Sequence, residues 1–339
     1  MHSLKKENRT SEKINGYLKI VHHTLYIIQI MTDWIKAARL RTLPLSLSGI
    51  IMGAFIAKWR LYREGGIWDW KIFALALLVT LLYQILSNYA NDYGDGVKGT
   101  DAKRINEAES RAVASGKITA KQMKNAVILF SALSFIATVA LLYVAFIPNY
   151  MYEFYIFIGL GVASILAAIG YTVGKKPYGY MGLGDIFVFI FFGLVSVCGS
   201  YFLFTKTFSW DMLLPGTAVG MMSMAVLNLN NMRDIESDKL SGKNSFALRI
   251  GFKNAMIYEM ILLQLPLVLI LIFLGVNGFI QAQNYYVFIV MILLFPLAKL
   301  RRSIMSVKEP KELDQYLKQV GIMTFIMAIL TAAGLNLFN

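Results

Sequence analysis

Two stretches of this sequence combine asparagine and aspartate at spacings that could bind a cation. In the first, LSNYANDYGDGVKGTD, the polar residues recur every three or four positions and share one helix face: Asn88, Asn91, Asp92 and Asp95. The second, LNLNNMRDIESDKLSGK, repeats the pattern with Asn230, Asn231, Asp234 and Asp238. Facing carboxylates repel each other unless a cation lies between them, so the two clusters together predict a metal site.

The composition narrows the choice of metal. The three histidines all lie within the first 23 residues, so the rest of the chain offers mainly oxygen ligands. Oxygen ligands favour Mg²⁺, which proteins bind together with substrate phosphates. The nucleotide-binding patterns GxGxxG and GxxxxGK[ST] do not occur. Basic residues close to the clusters could neutralise phosphate: Lys98, Lys103, Arg104, Arg111, Lys175, Lys176, Arg233, Lys239 and Lys243.

Long apolar runs must position both clusters. The chain is 57% hydrophobic and 16% charged, whereas a soluble domain carries about 25% charged residues. The runs predict an all-α polytopic membrane protein with about nine transmembrane helices, and the clusters end the second and sixth of them. The eighth run is the shortest and ends in Lys299. The runs lie near residues 43–60, 70–92, 125–147, 151–173, 183–205, 211–232, 254–275, 284–300 and 318–337.

The positive charges predict the orientation. If the N-terminus is cytoplasmic, 23 of the 33 Lys and Arg residues fall on the inner side and five on the outer side. This distribution predicts an integral protein of the cell membrane whose acidic clusters face the cytoplasm. The net charge of +13 is spread over short loops, so we expect no nucleic-acid partner. Residues 1–30 are interpreted as a flexible or interfacial tail, dispensable if Met31 is the working start, and residues 31–339 as a single domain.

The two clusters resemble the motifs of the UbiA superfamily of membrane prenyltransferases. Residues 91–95 match the start of its NDxxDxxxD motif, and residues 234–238 match its DxxxD motif. Gly99 stands where the third aspartate of the first motif falls, and Asp101 follows two residues later. Four stretches resemble the branch that prenylates 1,4-dihydroxy-2-naphthoate: WIKAARLRTLPLS, NDYGDGVKGTD, YTVGKKPYGYMGLGD and NNMRDIESDKLSGK.

The resemblance implies a reaction and a set of roles. A polyprenyl diphosphate would react with the naphthoate, with loss of CO₂, to give demethylmenaquinone, a step of menaquinone synthesis at the lipid membrane. Aromatic rings such as those of Tyr93, Tyr171 or Tyr178 would steady the allylic cation. The Mg²⁺ ligands would come from Asn91, Asp92, Asp95, Asp101, Asp234 and Asp238. Asp95, Asp234, Lys175, Arg111 and Tyr171 would be catalytic. The substrates would contact Asn88, Lys98, Lys176, Tyr178, Arg233, Lys239, Lys243 and Arg39.

Other interpretations fit parts of the pattern. The acidic motifs alone would suit a relative acting on another aromatic acceptor, such as 4-hydroxybenzoate. A cation-coupled transporter would also need paired acidic clusters, although transporters bind near the bilayer midplane and these clusters lie at helix ends. Solvated helix ends would explain a single cluster. Interface anchoring would explain Tyr171, Lys175 and Tyr178, and topological anchoring would explain Arg39 and Arg41.

Overall fold

A computed structural model describes residues 21–99 and 111–337, and within these ranges it contains helices and loops and no β-strand. Eight helices are long and apolar enough to cross a membrane. The predicted all-α, polytopic fold is therefore confirmed. We number the helices α1 to α11 in chain order: 21–38, Leu43–Arg63, Trp70–Val97, Ala120–Phe146, Met151–Gly170, Gly184–Thr205, Leu213–Arg233, Ile235–Ser241, Phe246–Leu274, Leu294–Met305 and Asp314–Asn336.

Eight of the nine predicted runs lie in these spanning helices. The remaining run, 284–300, forms a 3₁₀ helix over Tyr285–Leu293 that continues into α10. Together the two pieces extend roughly 36 Å, because a 3₁₀ helix rises about 2.0 Å per residue and an α-helix about 1.5 Å. The run carries Arg301 and Arg302 just beyond Lys299, so its apolar part is shorter than that of the other eight.

The predicted tail is described only from residue 21 onward. Residues 21–31 form an exposed stretch of α1, and this helix continues without a break into the domain predicted to begin at residue 31. The end of α1 packs on α3 through Trp34 and Tyr89, whose ring centroids lie 5.4 Å apart. Arg39 then adopts a left-handed conformation (φ 50°, ψ 47°), which ends α1 and turns the chain towards α2.

Helices α6 and α7 cross at closely spaced glycines. A Cβ atom added at Gly193 of α6 would lie 2.6 Å from the carbonyl oxygen of Gly216 and 2.6 Å from the Cα atom of Gly220, both on α7. Small residues let membrane helices approach until their backbones touch, where van der Waals packing replaces the hydrophobic effect. Helix α7 carries the second acidic cluster at its far end, so this crossing helps to fix the position of that cluster.

The crossing predicts how a methyl group would affect stability. Gly193→Ala should lower the free energy of unfolding by about 1–3 kcal/mol, because the helices must separate to admit the side chain. Thermal unfolding in detergent measures the change. Gly159→Ala on α5 is the matched control, since no atom lies within 4 Å of its added Cβ. Equal melting temperatures for the two variants would contradict the close crossing.

Candidate active site

A cavity of about 430 Å³ runs through the helix bundle, and its two ends differ in polarity. Helix α3 lines its length, from Asp95 at one end to Ala76 roughly 28 Å further along the helix axis. The polar end is lined by Asn91, Asp95, Arg111, Asn230, Lys243 and Asp314. The apolar end is lined by Ala76, Val79, Leu141, Leu142, Phe157 and Leu203. The cavity therefore suits a molecule with a charged head and a long apolar tail.

Asp95 anchors the first cluster at the cavity wall. Its side chain is 5% exposed and accepts hydrogen bonds from Arg111 Nη1 at 2.5 Å and from the Tyr180 hydroxyl at 2.7 Å. Arg111 also donates to the carbonyl oxygen of Asn91 at 3.2 Å. Asn91 faces the same cavity and accepts a hydrogen bond from Thr172 at 3.3 Å. The loop before α4 and the loop after α5 thus converge on one carboxylate of α3.

Asp92 and Asn88 of the first cluster form hydrogen bonds with backbone groups of neighbouring segments. The two oxygens of Asp92 accept hydrogen bonds from the amides of Ala112 and Val113, each at 3.0 Å. Asn88 lines the cavity and donates to the carbonyl oxygen of Ala38 at 2.9 Å. Both residues therefore fix the surroundings of Asp95.

The second cluster is built around Arg233 at the end of α7. Its guanidinium binds both oxygens of Asp234, at 2.8 and 2.9 Å, and donates to Asn230 at 2.7 Å. The same group also forms an ion pair with Asp314, the first residue of α11. Asn230 and Asp314 line the cavity, so this second carboxylate site opens onto the same space as Asp95.

Asp238 and Lys243 form a buried pair just beyond Asp234. Lys243 Nζ lies 3.2 Å from the carboxylate, and Asp238 is 0% exposed. Burial raises the pKa of Asp238, Lys243 opposes this increase, and the nearby Asp234 adds to it. Lys243 also lines the cavity. A cation close to Asp238 would favour its ionised form.

Buried oxygen atoms of the second cluster could act as ligands to Mg²⁺. Asn231 Oδ1 is buried and accepts no hydrogen bond from the described residues, and Asp238 Oδ2 is buried with Lys243 Nζ 3.2 Å away. Both are hard oxygen donors of the kind that Mg²⁺ prefers, so the second cluster fits the ion. Among the described residues, no three acidic, His or Cys side chains already converge. In this structure the guanidinium groups of Arg111 and Arg233 neutralise Asp95 and Asp234.

The predicted phosphate-binding lysines divide into groups. Lys98, Lys175 and Lys176 line a second cleft, with Tyr180 and Ser241, outside the main cavity. Lys98 donates to the carbonyl oxygen of Thr172 at 2.8 Å, and burial lowers its pKa while Asp95 opposes this effect. Lys239 is exposed and lines neither space. The predicted Asp101, Lys103 and Arg104 lie outside the described residues.

Aromatic rings form part of the cavity wall beside the polar end. Tyr171 and Tyr178 lie 5.3 Å apart between ring centroids, and Tyr178 stacks on Phe187 at 3.9 Å. All three rings line the cavity. Tyr93 instead packs against the hydrophobic cluster around Leu86 and Tyr89. The structure thus brings two of the three tyrosines suggested for cation stabilisation to the cavity.

Several residues of the site, in the cavity or in contact with Asp95, were not among the predicted site residues. Tyr180 donates a hydrogen bond to Asp95. It lies within the stretch YTVGKKPYGYMGLGD, which the sequence analysis quoted without naming Tyr180 as a site residue. Asp314 lies at the start of the last spanning helix. A search for acidic residues at the predicted cytoplasmic end of each span, the criterion that found the two clusters, would have found it. Arg41 and Lys318 also line the cavity, together with the predicted Arg39.

The position of Gly99 accounts for the departure from the general motif. Gly99 follows α3 in the left-handed conformation (φ 69°), which glycine adopts without strain. A glycine at this position therefore ends the helix where the general motif would place another aspartate.

Comparison with known proteins agrees with this geometry. The chain matches the model of the UbiA prenyltransferase family over residues 50–326. It is 40% identical over 303 residues to a 1,4-dihydroxy-2-naphthoate octaprenyltransferase of Haemophilus influenzae, covering 89% of this chain and 95% of that protein. A protein of the same name from Escherichia coli is 45% identical over 240 residues, covering 71% of this chain and 75% of that protein.

A solved structure shares the fold at low sequence identity. The structure of a UbiA homolog from Archaeoglobus fulgidus bound to GPP and Mg²⁺ superposes with a TM-score of 0.62. It is 15% identical in sequence, and the match covers 89% of this chain and 99% of that one. At this identity the likeness concerns the arrangement of helices.

The Arg111–Asp95 pair predicts a coupling that can be measured without substrate. Arg111→Gln should destabilise the protein by about 3 kcal/mol, because it removes the main counter-charge of a buried carboxylate. Adding Asp95→Asn should restore part of that loss, since no charge then remains to be neutralised. Thermal unfolding measures both variants, with the exposed Lys175→Gln as control. Strictly additive losses from the two substitutions would contradict the pairing.

Proposed function

Because this chain belongs to the UbiA prenyltransferase family, we propose that it transfers a polyprenyl group from polyprenyl diphosphate to 1,4-dihydroxy-2-naphthoate. The carboxylate is lost as CO₂, and the immediate product is the hydroquinone form of demethylmenaquinone, which a separate two-electron oxidation converts to the quinone. The observation that carries this proposal is a cavity lined at its polar end by Asn91 and Asp95 of the first cluster and Asn230 of the second, and by apolar side chains at its deep end. The names of the Haemophilus and Escherichia relatives support the choice of acceptor.

The polar end is proposed to bind the diphosphate. Asn91, Asp95, Asp234 and Asp238 would hold Mg²⁺, which when bound neutralises the phosphate oxygens and so favours departure of the leaving group. Arg111 and Lys243 line the same end and would pair with the remaining phosphate charge. Such preorganised cations stabilise the charge that develops on the leaving oxygen. The predicted roles of Lys98, Lys175 and Lys176 would require the loops of the second cleft to move towards the cavity.

The aromatic wall is proposed to protect the allylic carbon. As the bond to the diphosphate breaks, positive charge develops on that carbon. The faces of Tyr171, Tyr178 and Phe187 can stabilise a cation through their ring quadrupoles. Their apolar edges also exclude water, which would otherwise capture the cation as an alcohol.

The apolar end is proposed to hold the prenyl tail. Helix α5 packs against α3 and α4, and none of its twenty residues is buried. Leu160, Gly161 and Ser164 of α5 line the cavity, so this thin wall separates the cavity from the membrane lipid. The depth of roughly 28 Å along α3 is close to the hydrocarbon thickness of a bilayer.

The acceptor is proposed to bind at the mouth of the cavity, which is the opening of its polar end beside Arg39. Arg39 and Arg41 line the cavity at the turn between α1 and α2, where a guanidinium can bind the carboxylate of the acid. The ring electrons form the new bond to the allylic carbon. The bond to the carboxylate then breaks, and its electron pair returns to the ring as CO₂ leaves. No proton has to leave that ring carbon, so the reaction proceeds without a histidine base.

The proposed orientation places this mouth in the cytoplasm. The distribution of 23 inner against five outer positive charges supports a cytoplasmic N-terminus in the cell membrane. Water-soluble naphthoate would then reach the polar end directly, while the prenyl diphosphate reaches the cavity from the lipid.

A reconstituted assay tests the proposed reaction. Purified protein with Mg²⁺, a prenyl diphosphate and 1,4-dihydroxy-2-naphthoate should release CO₂ and diphosphate, and chelation of Mg²⁺ should stop both. Turnover with 4-hydroxybenzoate should be lower by at least about tenfold, because that acceptor lacks the second ring. Equal turnover of both acceptors would contradict the naphthoate assignment, and ion flux in liposomes without turnover would favour a transporter.

Asp95→Ala and Asp234→Ala should each reduce turnover by about 100-fold or more while the protein remains folded. The expected loss follows from removing a carboxylate proposed to bind the metal. Glu236→Ala is the matched control, because Glu236 lies within the same DxxxD motif but is exposed. Full activity in either aspartate variant would contradict the proposed metal site.

A further inference from the structure

Arg233 lies between two carboxylates that belong to different helices. Nε and Nη2 bind Asp234 at the end of α7, and Nη1 binds Asp314 at the start of α11. The side chains of Arg233 and Asp234 are each 6% exposed, whereas that of Asp314 is 35% exposed. Arg233 is thus buried, whereas Asp314 is partly exposed and lines the cavity.

The pairing conflicts with metal binding as the structure stands. Both oxygens of Asp234 accept hydrogen bonds from Arg233, and a bound cation would need at least one of them. The positive charge of Arg233 beside Asp234 repels a divalent cation, so metal binding is favoured when Arg233 moves away from Asp234, but a buried arginine that loses a carboxylate partner is strongly disfavoured. Asp314 already touches the same guanidinium and can keep it paired during the exchange.

We propose that Asp314 is a positioning residue for the metal site, which holds Arg233 while Asp234 turns to the cation. The inference rests on the proposed function only in taking Asp234 as a metal ligand. It assigns a role to the first residue of α11, which lies outside both acidic motifs. Asp314 acts through Arg233 and does not itself bind the metal.

The surrounding charges support this role. Arg41 lies within electrostatic range of both Asp314 and Arg233. Asp314 therefore balances two guanidinium groups at the mouth of the cavity. Without its charge, Arg233 would be drawn more strongly to Asp234.

Binding of Mn²⁺, followed by electron paramagnetic resonance of the free ion, tests the proposal without any turnover. Asp314→Asn should weaken Mn²⁺ binding about tenfold, because Arg233 then loses its contact with Asp314 and competes more strongly for Asp234. Asp314→Glu should stay within about threefold of wild type, since it keeps the carboxylate. Asp211→Asn is the matched control, because Asp211 pairs with Arg60 on helix ends away from the acidic clusters, and it should not change Mn²⁺ binding.

A double variant separates positioning from direct action on the metal. Arg233→Gln should bind Mn²⁺ at least as tightly as wild type, because it removes the group that competes for Asp234. Adding Asp314→Asn to Arg233→Gln should then have no further effect. A tenfold weakening in that background would overturn the proposal, as would wild-type binding by Asp314→Asn alone.

The role of Asp314 can be tested even if one variant does not fold or the proposed reaction does not occur. If Asp314→Asn does not fold, Arg233→Gln alone decides, and a tenfold loss of Mn²⁺ binding in that variant would overturn the proposal. Normal Mn²⁺ binding by wild type without prenyl transfer would contradict the proposed function and leave the role of Asp314 intact.

Discussion

Buried carboxylates at the ends of membrane helices must be matched by positive charge, and this requirement organises one whole end of the molecule. Asp95 is matched by Arg111 and Asp234 by Arg233, with side chains that are almost fully buried. Near the membrane, an unmatched charge is too costly to persist. The loops before α4 and after α5, together with the start of α11, are drawn towards these carboxylates.

The charges can meet only because the backbones approach closely. Gly94 faces the backbone of Thr172 so closely that a Cβ there would lie 2.8 Å from its carbonyl carbon. This contact seats the loop that carries Tyr180 beside Asp95. At the crossing of α6 and α7, Gly193 allows a comparable approach deeper in the bundle. Small residues inside the bundle therefore determine the geometry of charged residues at its end.

The contrast between the two ends of the cavity matches the chemistry proposed for it. A charged head and an apolar tail have to be held in one molecule, and the cavity changes from carboxylates and cations to aliphatic side chains along α3. Loss of CO₂ from the acceptor also removes the need for a base at the attacked carbon. The lack of histidine after residue 23 is thus compatible with catalysis. Cations and aromatic faces would stabilise the charges that develop during the reaction.

Much of this protein could be read from the sequence, because the relevant signals are local. Apolar runs of sufficient length predict spanning helices wherever they occur, and Asn and Asp at intervals of three and four share a helix face whatever surrounds them. Both kinds of signal placed the two acidic clusters at helix ends, and the resemblance of their motifs then indicated the family. The run at 284–300 was harder to read, since its helix type depends on how α11 and its neighbours pack.

The tertiary structure decided which of the candidate side chains share a space. Lys175 and Arg111 are both basic residues in loops between spanning helices, and the sequence does not distinguish their roles. In the structure Arg111 pairs with Asp95, whereas Lys175 lies in a second cleft. Asp314 stands 80 positions from Asp234 in the chain and meets it through Arg233. Long-range charge pairing depends on how helices cross and where loops fold back. These are properties of the whole bundle, and no spacing within a single segment encodes them.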